Sequence, residues 1–457
     1  MSEIKVISDW VREDLGGEVV FIERQTRWRP NWLVDVDLDG QRTELMVRGQ
    51  RIDSPLVFPL HHEMTFQDLL HRNDIPVPRV YGWLDTLPAY VMDRVSGRPD
   101  FTDCTMAERD AVMAEYMRIL ARIHALNVDE FEAAGITRAS APTSTPGSVG
   151  MASFEKLYRQ TKRRPDPFVE FALGWLRRNP LPANTREAPI VWDSGQFHHC
   201  DGRITALLDL EIGHIGDPLM DLAAFRMRDT VLNFGDFDTL YGIYADAAGV
   251  QLDMAAIQHH HLAFTLTNEL AFHGALAEPI LGSAYMTNLQ WCTETNLHSV
   301  EAFAELLGYD LDEAVDLPES AYFTNEIAFR HLVQTLGSVT IGEPFARYEV
   351  RNSFRLARHL LRRQEIGAQL DEQDLDDLTP LLGHRPTDVA SADGQLENFV
   401  LSDDGRHDEP LVQLFYRRFL RANAVLGPAG SAMTVHRKVQ PFKGISSPHQ
   451  AAAASRR

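Results

Sequence analysis

Cysteine is nearly absent. Cys104, Cys200 and Cys292 are the three in 457 residues, far apart and odd in number, which excludes a disulfide framework and a CxxC metal knuckle and fits a reducing compartment. Long apolar runs are missing too: no window approaches about eighteen uninterrupted apolar residues. The N-terminal MSEIKVISDW has no basic stretch followed by an apolar one. These absences point to a cytoplasmic protein with no membrane partner. Positive charge is the third deficit. With 44 Lys and Arg against 65 Asp and Glu, the net charge of -21 excludes a protein that coats nucleic acid or anionic membrane and leaves room only for local basic sites.

What is present is the balance of a soluble globular chain, 44% hydrophobic and 24% charged, with a length that favours roughly two or three domains. Residues 19–51 read as strands, VVFIE, NWLVDVDL and TELMVRG, with Asp39-Gly40 as a hairpin turn between the last two. In the third, Leu45 and Val47 face one way and Met46 and Arg48 the other. A short helix is expected from His62 to His71. Prolines then break PVPRVYGW, and AYVMDRV reads as a further strand. Residues 1–96 are expected to form a small antiparallel sheet with one helix.

Beyond Gly97, Met113, Tyr116, Met117, Leu120 and His124 recur at helical spacing. PIVW and RITALLDL are strand-like and joined through Asp201-Gly202, and residues 220–363 read mostly as helix. The acidic run Asp371, Glu372, Asp374, Asp376 and Asp377 reads as a solvated face or linker before a last helix at Leu411–Ala424. Residues 446–457 have no apolar face to bury and are expected to be disordered. Asp35-Val-Asp-Leu-Asp-Gly40 imitates a calcium loop but has Met46 at the twelfth position. His259, His260 and His261 point three ways on a helix. Neither reads as a metal site.

Chemistry concentrates in VWDSGQFHHCDGRITALLDLEIGHIGDPLMDLA, residues 191–223. Asp193 follows one strand-like run, Asp209 ends the next, and Gln196 lies between them. Phosphoryl transfer needs such a set: one carboxylate to orient a hydroxyl, and two oxygen ligands for magnesium.

On these residues the sequence resembles the aminoglycoside phosphotransferase family, whose fold is similar to that of protein kinases. The family reads HGDxxxxN, then a strand ending in IDWE, then GDPxxDLA; here the last two stand as Leu208-Asp209-Leu210-Glu211 and Gly216-Asp217-Pro218-Leu219-Met220-Asp221-Leu222-Ala223. Upstream, Val47-Arg48 resembles the strand bearing a basic phosphate contact, Glu63 the helix acid that pairs with it, and His124 the helix before the catalytic loop. Three departures stand out. Val191-Trp192 replaces His-Gly, the loop is two residues shorter with Gln196 in place of Asn, and Arg48 replaces Lys. The turn Arg24-Gln-Thr-Arg-Trp-Arg-Pro-Asn31 carries no glycine, so Arg24, Arg27 and Arg29 could supply charge in place of a backbone cradle.

The resemblance implies an α+β, protein-kinase-like two-lobed fold: an N-lobe over 1–96, a helical C-lobe with the catalytic hairpin over 97–365, a helical extension over 366–445 and a tail. It implies an ATP-dependent phosphotransferase acting on a hydroxyl of a small molecule, with ATP and Mg2+ as cofactors. Asp193 would be the catalytic base, Arg48, Glu63 and Arg27 the nucleotide-binding residues, and Asp209 and Gln196 the metal ligands. Asp217 would cap the following helix and Asp221 would hold the catalytic loop. The altered loop also leaves open a catalytically silent nucleotide-binding pseudokinase or interaction module. Acceptor identity and oligomeric state are not encoded in these motifs.

Overall fold

A computed structural model describes residues 2–27, 29–52, 54–139, 145–180, 186–312, 316–426 and 438–441. The tail at 446–457 lies outside them. The chain divides into two compact units: Met1–Ser153 with Ala183–Asp253, and Phe154–Pro182 with Met254–Arg457.

The first unit is built on an antiparallel sheet of β1 (Glu18–Arg24), β2 (Asn31–Leu38), β3 (Gln41–Gly49), β4 (Val80–Leu84) and β5 (Ala89–Asp93), in the order β1-β2-β3-β5-β4. Asp39 and Gly40 close the β2–β3 hairpin with positive φ at both positions, the conformation that matches the twist of two flanking strands. Alternation sorts the side chains between two faces. Trp32, Val34, Val36, Leu45, Val47 and Val91 bury on one face, against Ile7 and Val11 of helix α1 (Glu3–Asp14). The opposite face carries Met46, Tyr90 and Met92 towards Leu60 of helix α2 (Leu60–Arg72). Arg48 shares that second face, because strand side chains repeat every two residues. Helix α1 was not expected from sequence, although Val6, Ile7, Trp10 and Val11 recur at helical spacing and pack on the sheet.

Helix α3 (Met106–Ile123) starts at a capping box between Thr105 and Glu108 and ends at His124. Then come strands β6 (Ala188–Ile190), β7 (Phe197–Cys200), β8 (Arg203–Leu207) and β9 (His214–Gly216). Asp201-Gly202 joins β7 to β8, whereas the PIVW run, as β6, pairs with β9. That pairing corrects the sequence expectation. The chain leaves the ladder at Trp192, whose φ of 57° no strand can continue, and the segment after it becomes a loop. A sheet with one crossing helix, followed by mainly helical chain bearing a hairpin, is the kinase-like α+β arrangement expected.

The second unit is helical throughout its described secondary structure. One helix, Pro344–Leu382, runs through position 365 without a break. The acidic run lies on this helix and is not a linker: Glu372 and Asp376 face solvent, as expected, whereas Asp374 and Asp377 do not. Asp374 and Asp377 pair with Arg421, which is 8% exposed, and Asp377 also meets Arg417. Arginines of the helix Asp408–Leu426 thus neutralise these two acids across a packed interface. No described helix is long and apolar enough to cross a membrane.

Candidate active site

Arg48 projects from β3 and Glu63 from α2, and Arg48 Nε donates to Glu63 Oε1 at 2.7 Å. Arg48 also donates through Nη2 to Asp209, two residues beyond β8. Asp209 adopts φ of 59°, a left-handed conformation that Asp tolerates better than most residues and that recurs at functional sites. Arg29, 2% exposed, reaches in from the β1–β2 turn to pair with Glu63 at 3.4 Å and with Glu211. Burial alone would raise the Asp209 carboxyl, but Arg48 and then Arg29 hold it well below the usual carboxylate range. It is therefore ionised at neutral pH.

The loop carrying Asp193 is braced from below. Asp221 accepts backbone N–H bonds from Val191 (3.1 Å) and Trp192 (2.6 Å), and its Oδ2 lies 2.9 Å from Nε2 of the buried His124. This is the loop-holding role expected of Asp221. Asp217 Oδ1 accepts from the N–H of Leu219 at 3.0 Å, at the start of helix Leu219–Leu232. The Trp192 ring packs against Gly150, where a Cβ would collide with it, and meets His214 edge-on at 5.1 Å. Trp192 also accounts for the family's glycine, since the position requires positive φ. Here the Asp221 bonds impose that conformation on a bulky residue.

Asp193 itself is held at both oxygens. Oδ1 accepts from Arg228 Nη2 and Oδ2 from Gln196 Nε2, each at 2.6 Å. Burial raises its carboxyl above the ordinary value, with Arg228 pulling the other way. Arg48, Glu63, Gln196, Asp209 and Arg228 all line one cavity of about 570 Å³. Its remaining wall includes Leu33, Met46, Met92, Val95 and Leu208, an apolar surface beside the charged end. Exposed Arg27 also lines this cavity.

A family model described as the phosphotransferase enzyme family matches residues 34–260. This segment belongs to that family. Among curated proteins, acyl-CoA dehydrogenase family member 11 of Homo sapiens is 28% identical over 188 residues, covering 38% of this chain and 23% of that protein. The Rattus norvegicus protein of the same name is 28% identical over 188 residues, covering 37% and 23%. The chain therefore spans about a quarter of the length of these relatives. Among solved structures, macrolide 2′-phosphotransferase MphH from Brachybacterium faecium is 16% identical, covering 58% of this chain and 90% of that one, with a TM-score of 0.42. A thermostable mutant of aminoglycoside phosphotransferase APH(4)-Ia, in ternary complex with ADP and hygromycin B, is 16% identical, covers 58% and 91%, and has a TM-score of 0.41.

Within the phosphotransferase segment, two residues outside the expected set join the cluster. Arg228 lies seven residues after Asp221, two helical turns on, so both present to the catalytic loop. That spacing was readable beside GDPLMDLA. Glu211 stands two residues beyond Asp209. Its partnership with Arg29 spans 182 positions and leaves no local signal.

Proposed function

We propose that the first unit is an ATP-dependent phosphotransferase that moves the γ-phosphoryl group to a hydroxyl of a small molecule. The observation that carries this is the convergence on one cavity of an ionised Asp209, a paired Arg48–Glu63, and Gln196 and Arg228, which hold Asp193 between them. Adenine would rest against Met46, Met92 and Val95, and the phosphates against Arg48, with Arg27 at hand. Magnesium fits the donor set: around Asp209 stand three carboxylates, Glu63, Asp209 and Glu211, against two guanidiniums, Arg29 and Arg48, so one negative charge is left for a cation. Asp209 and Gln196 would hold the ion through oxygen, and its chemistry when bound is to neutralise the phosphate oxygens.

The rest follows from the chain's own groups. Arg48 swings its Asp209 contact over to phosphate while Glu63 keeps it placed. Asp193 orients the acceptor hydroxyl and takes its proton as the oxygen bonds to phosphorus and the bond to ADP breaks; a carboxyl raised by burial is the stronger base. Arg228 keeps Asp193 in place and offers positive charge where the transferring group becomes more anionic. A second reading, a silent nucleotide-binding module, is favoured by one observation: Asp193 and Asp209 are both engaged by arginines.

The test is magnesium-ATP affinity by calorimetry together with turnover over a panel of hydroxylated metabolites. Asp209→Ala is expected to abolish magnesium-dependent binding, and equal affinity in wild type and variant would sink the assignment. Binding without any transfer or hydrolysis would favour the silent module.

A further inference from the structure

The second unit holds a cluster that phosphoryl transfer does not use. His273 and Glu269 sit one turn apart on the helix Thr267–Ala277, and Asp166 precedes the helix Pro167–Arg178. Candidate ligand atoms of all three lie within 4.8 Å of one another. His273 Nδ1 is 3.1 Å from Asp166 Oδ2 and 3.5 Å from Glu269 Oε1. Donors around a cation with bonds of about 2.0–2.2 Å stand about 3–3.5 Å apart, so the spacing suits an ion at their centre.

Each carboxylate is fixed through its other oxygen. Asp166 Oδ1 accepts from the Val169 N–H at 3.0 Å, and Glu269 Oε2 accepts from Asn296 Nδ2 at 2.9 Å. Such outer bonds orient metal ligands. The independent sign of a missing occupant is Asn296. It is 7% exposed, it lines a cavity of about 300 Å³ with Asp166 and Glu269, and its Oδ1 has no partner among the described residues. Turning the amide over would set that oxygen against Glu269, so the orphan is the oxygen, a donor suited to a cation. Two arginines border the cavity: Arg418, whose charge is taken by Asp393 at 2.6 Å and by Asp374, and exposed Arg164, whose charge reaches Glu269.

We propose that Asp166, Glu269 and His273, with Asn296 Oδ1 beside them, bind one divalent transition-metal ion. One imidazole among oxygen donors selects Mn2+ or Zn2+ over Mg2+, which prefers oxygen alone. The site lies within the second unit and does not depend on the phosphotransferase reading.

The experiment uses the full chain carrying Asp209→Ala, which removes the proposed active-site cation ligand. After chelation and dialysis the protein is titrated with MnCl2 or ZnCl2, and retained metal is counted by mass spectrometry. About one equivalent should stay bound. Glu269→Gln and Asp166→Asn, which keep shape and the helix cap, should each weaken binding at least tenfold. Pulsed paramagnetic resonance of the Mn2+ form should show nitrogen coupling from His273, a readout that needs no second variant and that an oxygen-only site lacks. No retained metal, unchanged affinity in both variants, or a Mn2+ signal without nitrogen coupling would each overturn the proposal and leave a buried imidazole sharing a proton with two acids.

Discussion

The two units treat buried charge in opposite ways. In the second, outside the Asp166–Glu269–His273 cluster, acids and bases neutralise one another across helices: Glu170 takes both Arg159 and Lys162, and Arg421 takes Asp374 and Asp377. In the first, Arg48, Asp209 and Arg228 face a cavity, and the arginines paired with Asp209 and Asp193 are ones that a ligand could claim. Closed pairs hold a fold together; pairs opening on a cavity can be exchanged for substrate. Buried pairs of the first kind contribute little net stability over apolar packing, so their retention in the second unit fits a role in fixing which helices meet.

The most forceful way to break this contrast is Asp193→Asn. Nucleotide affinity should persist while turnover falls about a hundredfold or more, the scale of a lost general base. Arg228→Ala should cost about tenfold to a hundredfold in kcat, as for a charge felt mainly in the transition state. Steady-state kinetics with calorimetric nucleotide binding checks both. Turnover that survives Asp193→Asn would mean the shortened loop has moved the base elsewhere.

Acid tests the buried histidines next. His214, fully buried in the first unit, is pushed down to about 4 by burial, against an ordinary value of 6.5. Between pH 6.5 and about 4 the unfolded chain binds a proton that the folded one refuses, so stability falls as pH falls. The difference, 6.5 minus about 4, at about 1.36 kcal/mol per pH unit sets a ceiling of about 3 kcal/mol. Burial would raise Glu170 in the second unit, yet Arg159 and Lys162 bring it down to about 2. Its contribution is therefore complete above pH 4.5 and is lost progressively as pH falls from 4.5 to about 2. His259 of the second unit is likewise pushed down to about 4 by burial, so calorimetry from pH 7 to 4 should show both transitions moving down, and His214→Gln should flatten the first unit's shift alone. A first-unit shift unchanged in His214→Gln would refute it.

Gly150→Ala tests the packing of the Trp192 ring beneath the loop. An added methyl normally favours a helix, but here it enters the Trp192 ring, and overpacking of this kind costs about 2 kcal/mol. With Trp192→Gly already present, Gly150→Ala should cost almost nothing. Chemical denaturation of the four proteins of this cycle measures the coupling.

How much of this was legible beforehand depends on distance along the chain. The sheet was visible because alternation and Asp39-Gly40 are local, and Arg48 fell on the correct face for the same reason. The catalytic-loop brace was visible through the spacing of GDPLMDLA. Arg29, in contrast, was read only as loop charge: its partners Glu63 and Glu211 come from two distant elements, and nothing in the turn announces that its guanidinium is buried. The acidic run misled because composition alone cannot show arginines some forty residues downstream, 377 to 417 and 421, folding back onto it.

That same run supplies the smallest effect, and a limit on the contrast. Arg385 pairs with Glu372 and Asp376, but the arginine is 39% exposed and its partners 67% and 68%. Water already solvates all three groups, and holding two long side chains in one geometry offsets most of the attraction. Arg385→Ala should leave the second unit's denaturation midpoint within experimental error, at low salt as at high. Burial, then, and not the number of ion pairs on the helix Pro344–Leu382, is what makes a pair matter. A clear drop in the midpoint, disappearing in high salt, would show instead that the exposed acids are held by long-range attraction to the whole arginine row, and the division between closed and open pairs would have to be redrawn around net charge.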